Sequence, residues 1–331
     1  MSTVGQLVRN EARAVVTVGG LLRPDACGLV DAHGHAWIEP QTLVSAENPP
    51  VLDCYDGIRD ELTAFRETGG LAVVDCQPPG CGRSFERLVS LWRDTGTEII
   101  AATGFHLRRY YPADSWIWKA DLNAAAGYMC EELERGMLCG NGPPGPRAGF
   151  IKTAFSGSPD ELEGGLLSAA CEAASATGAA VMVHTEQGAG VELLPDFFEK
   201  HRVGLDRVIL AHVDKRPDRI LHRDLIAAGF LVEYDTFLRP RYEPETKVWP
   251  LLEELISTGW STGICCGLDL AGNGMWAFGS QTPGILGLSR VVVSGLMMRG
   301  VDERTIQLVT GKNILARLAR PLTGGLDESG I

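Results

Sequence analysis

The sequence predicts a (β/α)8 barrel, and three observations carry that prediction. Eight short apolar runs recur along the 331 residues, helix-like segments alternate with them, and the runs lack clean polar alternation. Strands covered on both faces read this way, because a parallel sheet buries both of its sides under helices. The length exceeds an ordinary domain of about 150 residues but suits one barrel, which takes about 200 to 400.

In order, the runs are 29–38, 71–77, 98–106, 149–155, 179–185, 207–213, 230–235 and 263–269. Each is rich in Val, Ile, Leu and Ala. The segment 56–68 puts Ile58, Leu62 and Phe65 at helical spacing. The segment 84–95 opens on Ser84 as a candidate cap and carries a stripe of Leu88, Leu91 and Trp92. Segments 160–176, 193–201, 218–228 and 245–257 read the same way. Gly69, Gly70, Gly178, Gly229 and Gly259 each follow a helical segment and precede a strand, as helix stops should. The alternative is an open doubly wound sheet, but no G-x-G-x-x-G follows the first run. No repeat, charge block or low-complexity linker divides the chain. It reads as one barrel domain over 1–331, with an N-terminal extension (1–20) and a loose Gly-rich tail (322–331). The strongest break, 140–149 (GNGPPGPRAG), falls where a loop is expected before the fourth strand.

Composition narrows the function. Lys and Arg total 30 against 42 Asp and Glu, a formal net charge of −12. A negative field repels phosphate backbones and anionic lipid, so no nucleic-acid or membrane partner is expected. No apolar run approaches the roughly 20 residues needed to span a bilayer. The N-terminal segment shows no signal-peptide pattern, and a cytoplasmic location is expected. Nine cysteines, an odd number without any C-x-x-C pair, read as reduced thiols rather than a disulfide framework.

The chemistry lies at the ends of the strands. Strand one carries His33-Gly34-His35, and residues i and i+2 of a strand share a face. Two imidazoles on one face can open a divalent metal site or form a pair of core histidines. His184 ends strand five, His212 ends strand six and Asp269 ends strand eight. Lys152 sits within apolar strand four, where its charge is costly unless neutralised, paired or modified. All six lie toward the C-terminal ends of strands, the barrel face on which active sites are built.

In that order and on those strands, His33, His35, Lys152, His184, His212 and Asp269 resemble the amidohydrolase superfamily. Val74-Asp75 with Gly82-Arg83, Thr103-Gly104-Phe105, His184-Thr185 with Gly188, His212-Val213-Asp214 and Lys312-Asn313 are similar to its phosphotriesterase-related branch of phosphotriesterases and metal-dependent lactonases. The resemblance implies two divalent metal ions, zinc in the first place, with manganese, cobalt or iron also suited to these ligands. His33, His35 and Asp269 would hold one and His184 and His212 the other. Lys152 would be carboxylated to a bridging carbamate, which removes its charge. A hydroxide bridging the metals would be the nucleophile, with Asp269 and Lys152 as catalytic residues and Asp269 moving the proton. It further implies a homodimer. Gly34 stands where the family often has Glu, and His106 stands where many members have Tyr. His106 could bind substrate or be a satisfied rim histidine. His201 and His222 are expected to face solvent.

Several basic residues follow strands on the same face: Arg83, Arg108, Arg109, Lys215, Arg216, Arg239 and Arg241. Arg suits carboxylate or phosphate, so they point to a small anionic substrate, or else pair with acids such as Asp214, Asp218 and Glu243. The expected substrate contacts are His106, Arg109, Tyr111, Arg239, Arg241 and Trp276. The Gly-rich loop 270–284 reads as a mobile lid. The expected activity is lactone or carboxylic ester hydrolysis, with phosphotriester hydrolysis as the runner-up within the family and amide or cyclic-amide hydrolysis, a different enzyme class on the same ligand set, as a further alternative. A metal-binding barrel without catalysis is the remaining one.

Overall fold

The described chain (residues 13–138, 142–158 and 161–322 of a computed structural model) opens with a hairpin and then alternates strand and helix. The hairpin is β1 (Arg13–Thr17) and β2 (Gly20–Leu22). The eight expected strands follow as β3 (Leu29–Gly34), β4 (Gly70–Asp75), β5 (Glu98–Gly104), β6 (Phe150–Phe155), β7 (Val181–Thr185), β8 (Val208–Ala211), β9 (Leu231–Tyr234) and β10 (Ile264–Cys266). Neighbours pair in parallel, in sequence order from β3 to β10. The Asp269 amide donates to the His33 carbonyl at 2.7 Å and brings the last strand against the first, so the barrel nearly closes. Gly267 permits this approach, since a Cβ there would lie 2.6 Å from the His33 nitrogen.

Alternation along each strand sorts the side chains. Val74, Ala102, Phe150, Met182, Ile209, Leu231 and Cys265 fill the barrel, while Val73, Ile151, Val183, Leu210 and Val232 face the helices. Helix α1 (Tyr55–Glu67) buries Ile58, Leu62 and Phe65, and α2 (Phe85–Thr95) buries Leu88 and Leu91. Then come α3 (Leu122–Glu134), α4 (Glu161–Thr177), α5 (Leu194–Lys200), α6 (Arg219–Ala228) and α7 (Val248–Ser257). Asp218 caps α6 by accepting from the amides of Ile220 and Leu221. The chain finishes with α8 (Ser294–Met298), α9 (Glu303–Gln307) and α10 (Asn313–Leu318).

Two expectations change, for His222 and Arg83. The N-terminal extension carries structure: β1 pairs with β2 and with β11 (Arg320–Pro321), and Val15 packs into the barrel interior. Residues 1–12, 139–141 and 323–331, where the rest of the extension, part of the glycine-rich break and most of the tail were expected, lie outside the described residues. His222 does not face solvent. It is buried in α6 between the Tyr234 hydroxyl (2.6 Å) and the Arg216 carbonyl (2.9 Å). Arg83 does not reach the active face either. It forms a buried ion pair with Glu132 at 2.6 Å.

Candidate metal centre

The strands deliver the six polar residues to one place. Val30 and Ala32 of β3 face the interior, so strict alternation would turn His33 outward. A register shift between Asp31 and Gly34 restores it inward, where its Nε2 lies 3.2 Å from Lys152 Nζ. His35 follows the strand, and its Nε2 lies 3.5 Å from Asp269 Oδ1. The rings of His33 and His212 are 4.5 Å apart, and those of His184 and His212 are 4.7 Å apart. His212 and Asp269 have positive φ, +66° and +48°, where a side chain with a Cβ is strained. His212 directly follows β8 and Asp269 lies three residues past β10, where that conformation turns the chain at the barrel mouth.

Burial sets the protonation states. It pushes His33, His212 and His106 well below the usual imidazole range, with neighbouring positive groups adding to the effect. Neutral imidazole is the metal-binding form. Burial opposes ionisation of Asp269, yet Arg239 at 2.6 Å and the surrounding histidines hold its carboxyl well below the carboxylate range.

Two further acids stand behind the histidines. Glu233 Oε2 is 3.3 Å from His33 Nδ1 and 3.1 Å from the His212 amide, and Asp235 bonds His212 Nδ1. They orient rings from behind, as carboxylates do around metal-binding histidines. The sequence carried a signal for both. In the run after Phe230, Leu231, Glu233 and Asp235 share the interior parity, and two acids there need a reason.

The buried cluster suits a binuclear metal site. His33, His35 and Asp269 bring ligand atoms within 4.8 Å of one another, and so do His33, His212, Glu233 and Asp235. His35 Nδ1, Glu233 Oε1 and Asp235 Oδ1 are buried without a hydrogen-bond partner, and His184 Nε2 has only the Glu186 carboxylate, at 3.5 Å. Lys152 is 1% exposed and has no carboxylate within 4 Å among the described residues. Its neighbours are His33 and the Met182 sulfur at 3.6 Å, a setting that suits an uncharged or modified amine.

A cavity of about 480 Å³ opens above the cluster. His106, Arg109, Arg239 and Arg241 line it, with Lys215, one of the basic residues expected on this face, and with Tyr110 and Tyr242. The His106 ring accepts from the Leu107 amide at Nδ1 (2.7 Å), which leaves Nε2 to carry the proton of the neutral ring. Tyr111 and Trp276, expected among the substrate contacts, are buried outside the lining. The Tyr111 hydroxyl accepts from the His106 amide at 3.0 Å, and Trp276 Nε1 donates to the Leu270 carbonyl at 3.1 Å. Arg108 and Arg216 also lie outside it, over Trp118 and against Glu192 respectively.

A parallel barrel whose strand ends gather histidines, a lysine and an aspartate beneath a small polar cavity defines a metal-dependent hydrolase. The chain belongs to the phosphotriesterase family, whose family model matches residues 13–314. It is 26% identical over 270 residues to a phospho-furanose lactonase of Mycoplasmopsis synoviae, covering 76% of this chain and 75% of that protein. It is 27% identical over 251 residues to the phosphotriesterase homology protein of Escherichia coli, covering 74% and 82%. In fold it is similar to an amidohydrolase from Mycoplasma synoviae, with a TM-score of 0.86, 24% identity and coverage of 96% and 95% of the two chains.

Proposed function

We propose that this hydrolase opens small anionic lactones, with a phosphorylated sugar lactone as the best-supported substrate class. One observation carries the reading: Arg109, Lys215, Arg239 and Arg241 line the same cavity as the histidine–aspartate cluster. Among the described residues Arg241 has no carboxylate within 4 Å, and Lys215 has only Asp269 at 3.9 Å. Arg109 and Arg239 are paired with Glu186 and Asp269 of the same lining, so Lys215 and Arg241 are the cations left to face a ligand. Cations facing a desolvated cavity favour an anionic group on the ligand. The name of the M. synoviae relative points to the same class.

The metals are proposed to be zinc, held by His33, His35 and Asp269 on one side and by His184 and His212 on the other. Lys152, carboxylated to a carbamate, would complete the ligand set. Bound there, two divalent ions supply Lewis acidity and ionise water near neutral pH. Asp269, held ionised, takes the proton of the attacking water and returns it to the departing ring alkoxide. His106 offers its Nε2 proton to an oxygen of the substrate. Lys215 and Arg241 bind the anionic group and orient the ring. A homodimer working in the cytoplasm completes the reading, on the family resemblance and the sequence.

The test has two parts. Protein purified with zinc and bicarbonate is expected to hold about two metal ions per chain. A screen of neutral lactones, phosphorylated lactones, phosphotriesters and N-acyl amides is expected to favour phosphorylated lactones. Less than about one metal per chain, or turnover of amides alone, would overturn the proposal. A preference for neutral lactones would remove the role given to the cations.

A further inference from the structure

The histidines of the cluster are not turned alike, and carboxylates decide which ring nitrogen each leaves free. His33 gives Nδ1 to Glu233 at 3.3 Å and His212 gives Nδ1 to Asp235, so both keep Nε2 for the centre. His184 is reversed. Its Nε2 lies 3.5 Å from Glu186 Oε2, which leaves Nδ1. Glu233 and Asp235 are fixed in or beside a buried strand, whereas Glu186 sits just past β7 on the cavity wall, with its side chain 34% exposed. A half-exposed carboxylate orients a ring only if something else holds it. Arg109, from the loop after β5, does so: its Nη2 is 2.8 Å from the same Oε2, and its guanidinium lies 5.0 Å from the centre of the Tyr110 ring.

We propose that Glu186 is a positioning residue that sets His184 with Nδ1 toward the metal centre, and that Arg109 anchors Glu186. The inference rests on the reading of His184 as a metal ligand. It also gives Arg109 work beyond contact with substrate. The loop after β5 then helps to set the affinity of the site as well as the shape of the cavity. An exposed Arg–Glu pair adds little to folding stability, so a purely structural role predicts no effect on metal binding. Carboxylates behind a metal-binding histidine instead contribute roughly 10–100-fold in metal affinity.

The experiment is competition of Zn2+ between a chromogenic chelator and the metal-free protein, for wild type, Glu186→Ala, Glu186→Gln and Arg109→Ala. Wild type should bind two ions. Glu186→Ala should weaken one of them by about 10–100-fold and leave the other within about 2-fold. Glu186→Gln should retain most of the affinity, because its amide oxygen can face His184 Nε2–H in place of the carboxylate. Arg109→Ala should fall between the two. Circular dichroism of the metal-free proteins separates misfolding from loss of the site. If Glu186→Ala does not fold, Glu186→Gln and Arg109→Ala carry the comparison, and wild-type affinity in Arg109→Ala refutes the anchoring. Two ions held as tightly by Glu186→Ala as by wild type refute the positioning role alone. A wild type that binds no zinc refutes the metal reading first.

Discussion

Buried in α6, His222 shows how one residue ties stability to pH. Its Nε2 faces the Arg216 carbonyl, so that nitrogen holds the ring proton, and Nδ1 accepts from the Tyr234 hydroxyl. Burial pushes its pKa down to about 4, with the Arg216 and Val213 carbonyls opposing the shift. The unfolded chain binds this proton near pH 6.5, and the folded one resists it. Stability from this residue is therefore complete above about pH 6.5 and falls as the pH drops toward 4, by up to ~3 kcal/mol. His222→Gln should be less stable at pH 7, yet lose less stability between pH 6.5 and 4 than wild type does. Urea unfolding at several pH values reads the difference. Parallel curves for the two proteins would show that His222 is not a source of the acid sensitivity. The residue was misjudged from the sequence although a signal was present: it lies three positions before Leu225, on the buried stripe of α6. Arg83 offered no such signal, since its partner Glu132 is 49 residues away.

At the scale of elements, the strands and the polar residues they gather at the candidate centre were legible for one shared reason. Each barrel strand is buried on both faces, so it shows as an apolar run, and any polar residue at its C-terminal end stands out against that run. The register shift in β3 was not legible, because it depends on the partner strand. Nor were β1, β2 and β11, which are two to five residues long and exist through their pairing. The loop after β10 looked free because it is rich in glycine. In the structure it is tied down at two points. The Asn273 amide donates to the Val51 carbonyl (2.9 Å), and its side chain makes two bonds to Asp53, at 2.8 and 3.1 Å. Glu61 of α1 accepts from the amides of Phe278 (2.9 Å) and Ile285 (3.3 Å). Asn273 thus joins the wall bearing Ala271 and Met275 to the wall bearing Asn48 and Pro50. Asn273→Ala should loosen both walls together. We expect KM to rise by roughly 5–20-fold with a smaller change in kcat, and stability to fall by less than about 1 kcal/mol, because these bonds are exposed. Steady-state kinetics on the substrate found in the screen checks this, and an unchanged KM would mean that each wall is rigid by itself.

For the whole molecule, the two ends of the barrel divide the work. The C-terminal ends of the strands carry strained backbone at His212 and Asp269 and buried polar atoms without partners, features that cost stability. The opposite end repays them with packing and satisfied bonds. Ile314, Leu315 and Leu318 of α10 pack into the barrel interior. Asn313 donates to the carbonyls of Ser261 and Ile264, both at 2.8 Å. Arg317 Nη1 reaches the carbonyls of Leu205 (2.8 Å), Gly229 (3.0 Å) and Val208 (3.3 Å), joining the segments around β8 and β9 to the end of the chain. Burial lowers the Arg317 pKa, yet Nη1 shares its two hydrogens among three carbonyls, and a hydrogen bond from a charged group contributes about 1.5–3 kcal/mol. Arg317→Ala should therefore cost about 2–4 kcal/mol of folding stability. It touches no cavity residue, so metal content and KM of the folded fraction should match wild type. Denaturant unfolding and metal analysis on the same preparation measure both sides. A variant with normal stability would show that these bonds are replaced by water at no cost, and one with normal folding but a weakened metal centre would show that the two ends are coupled.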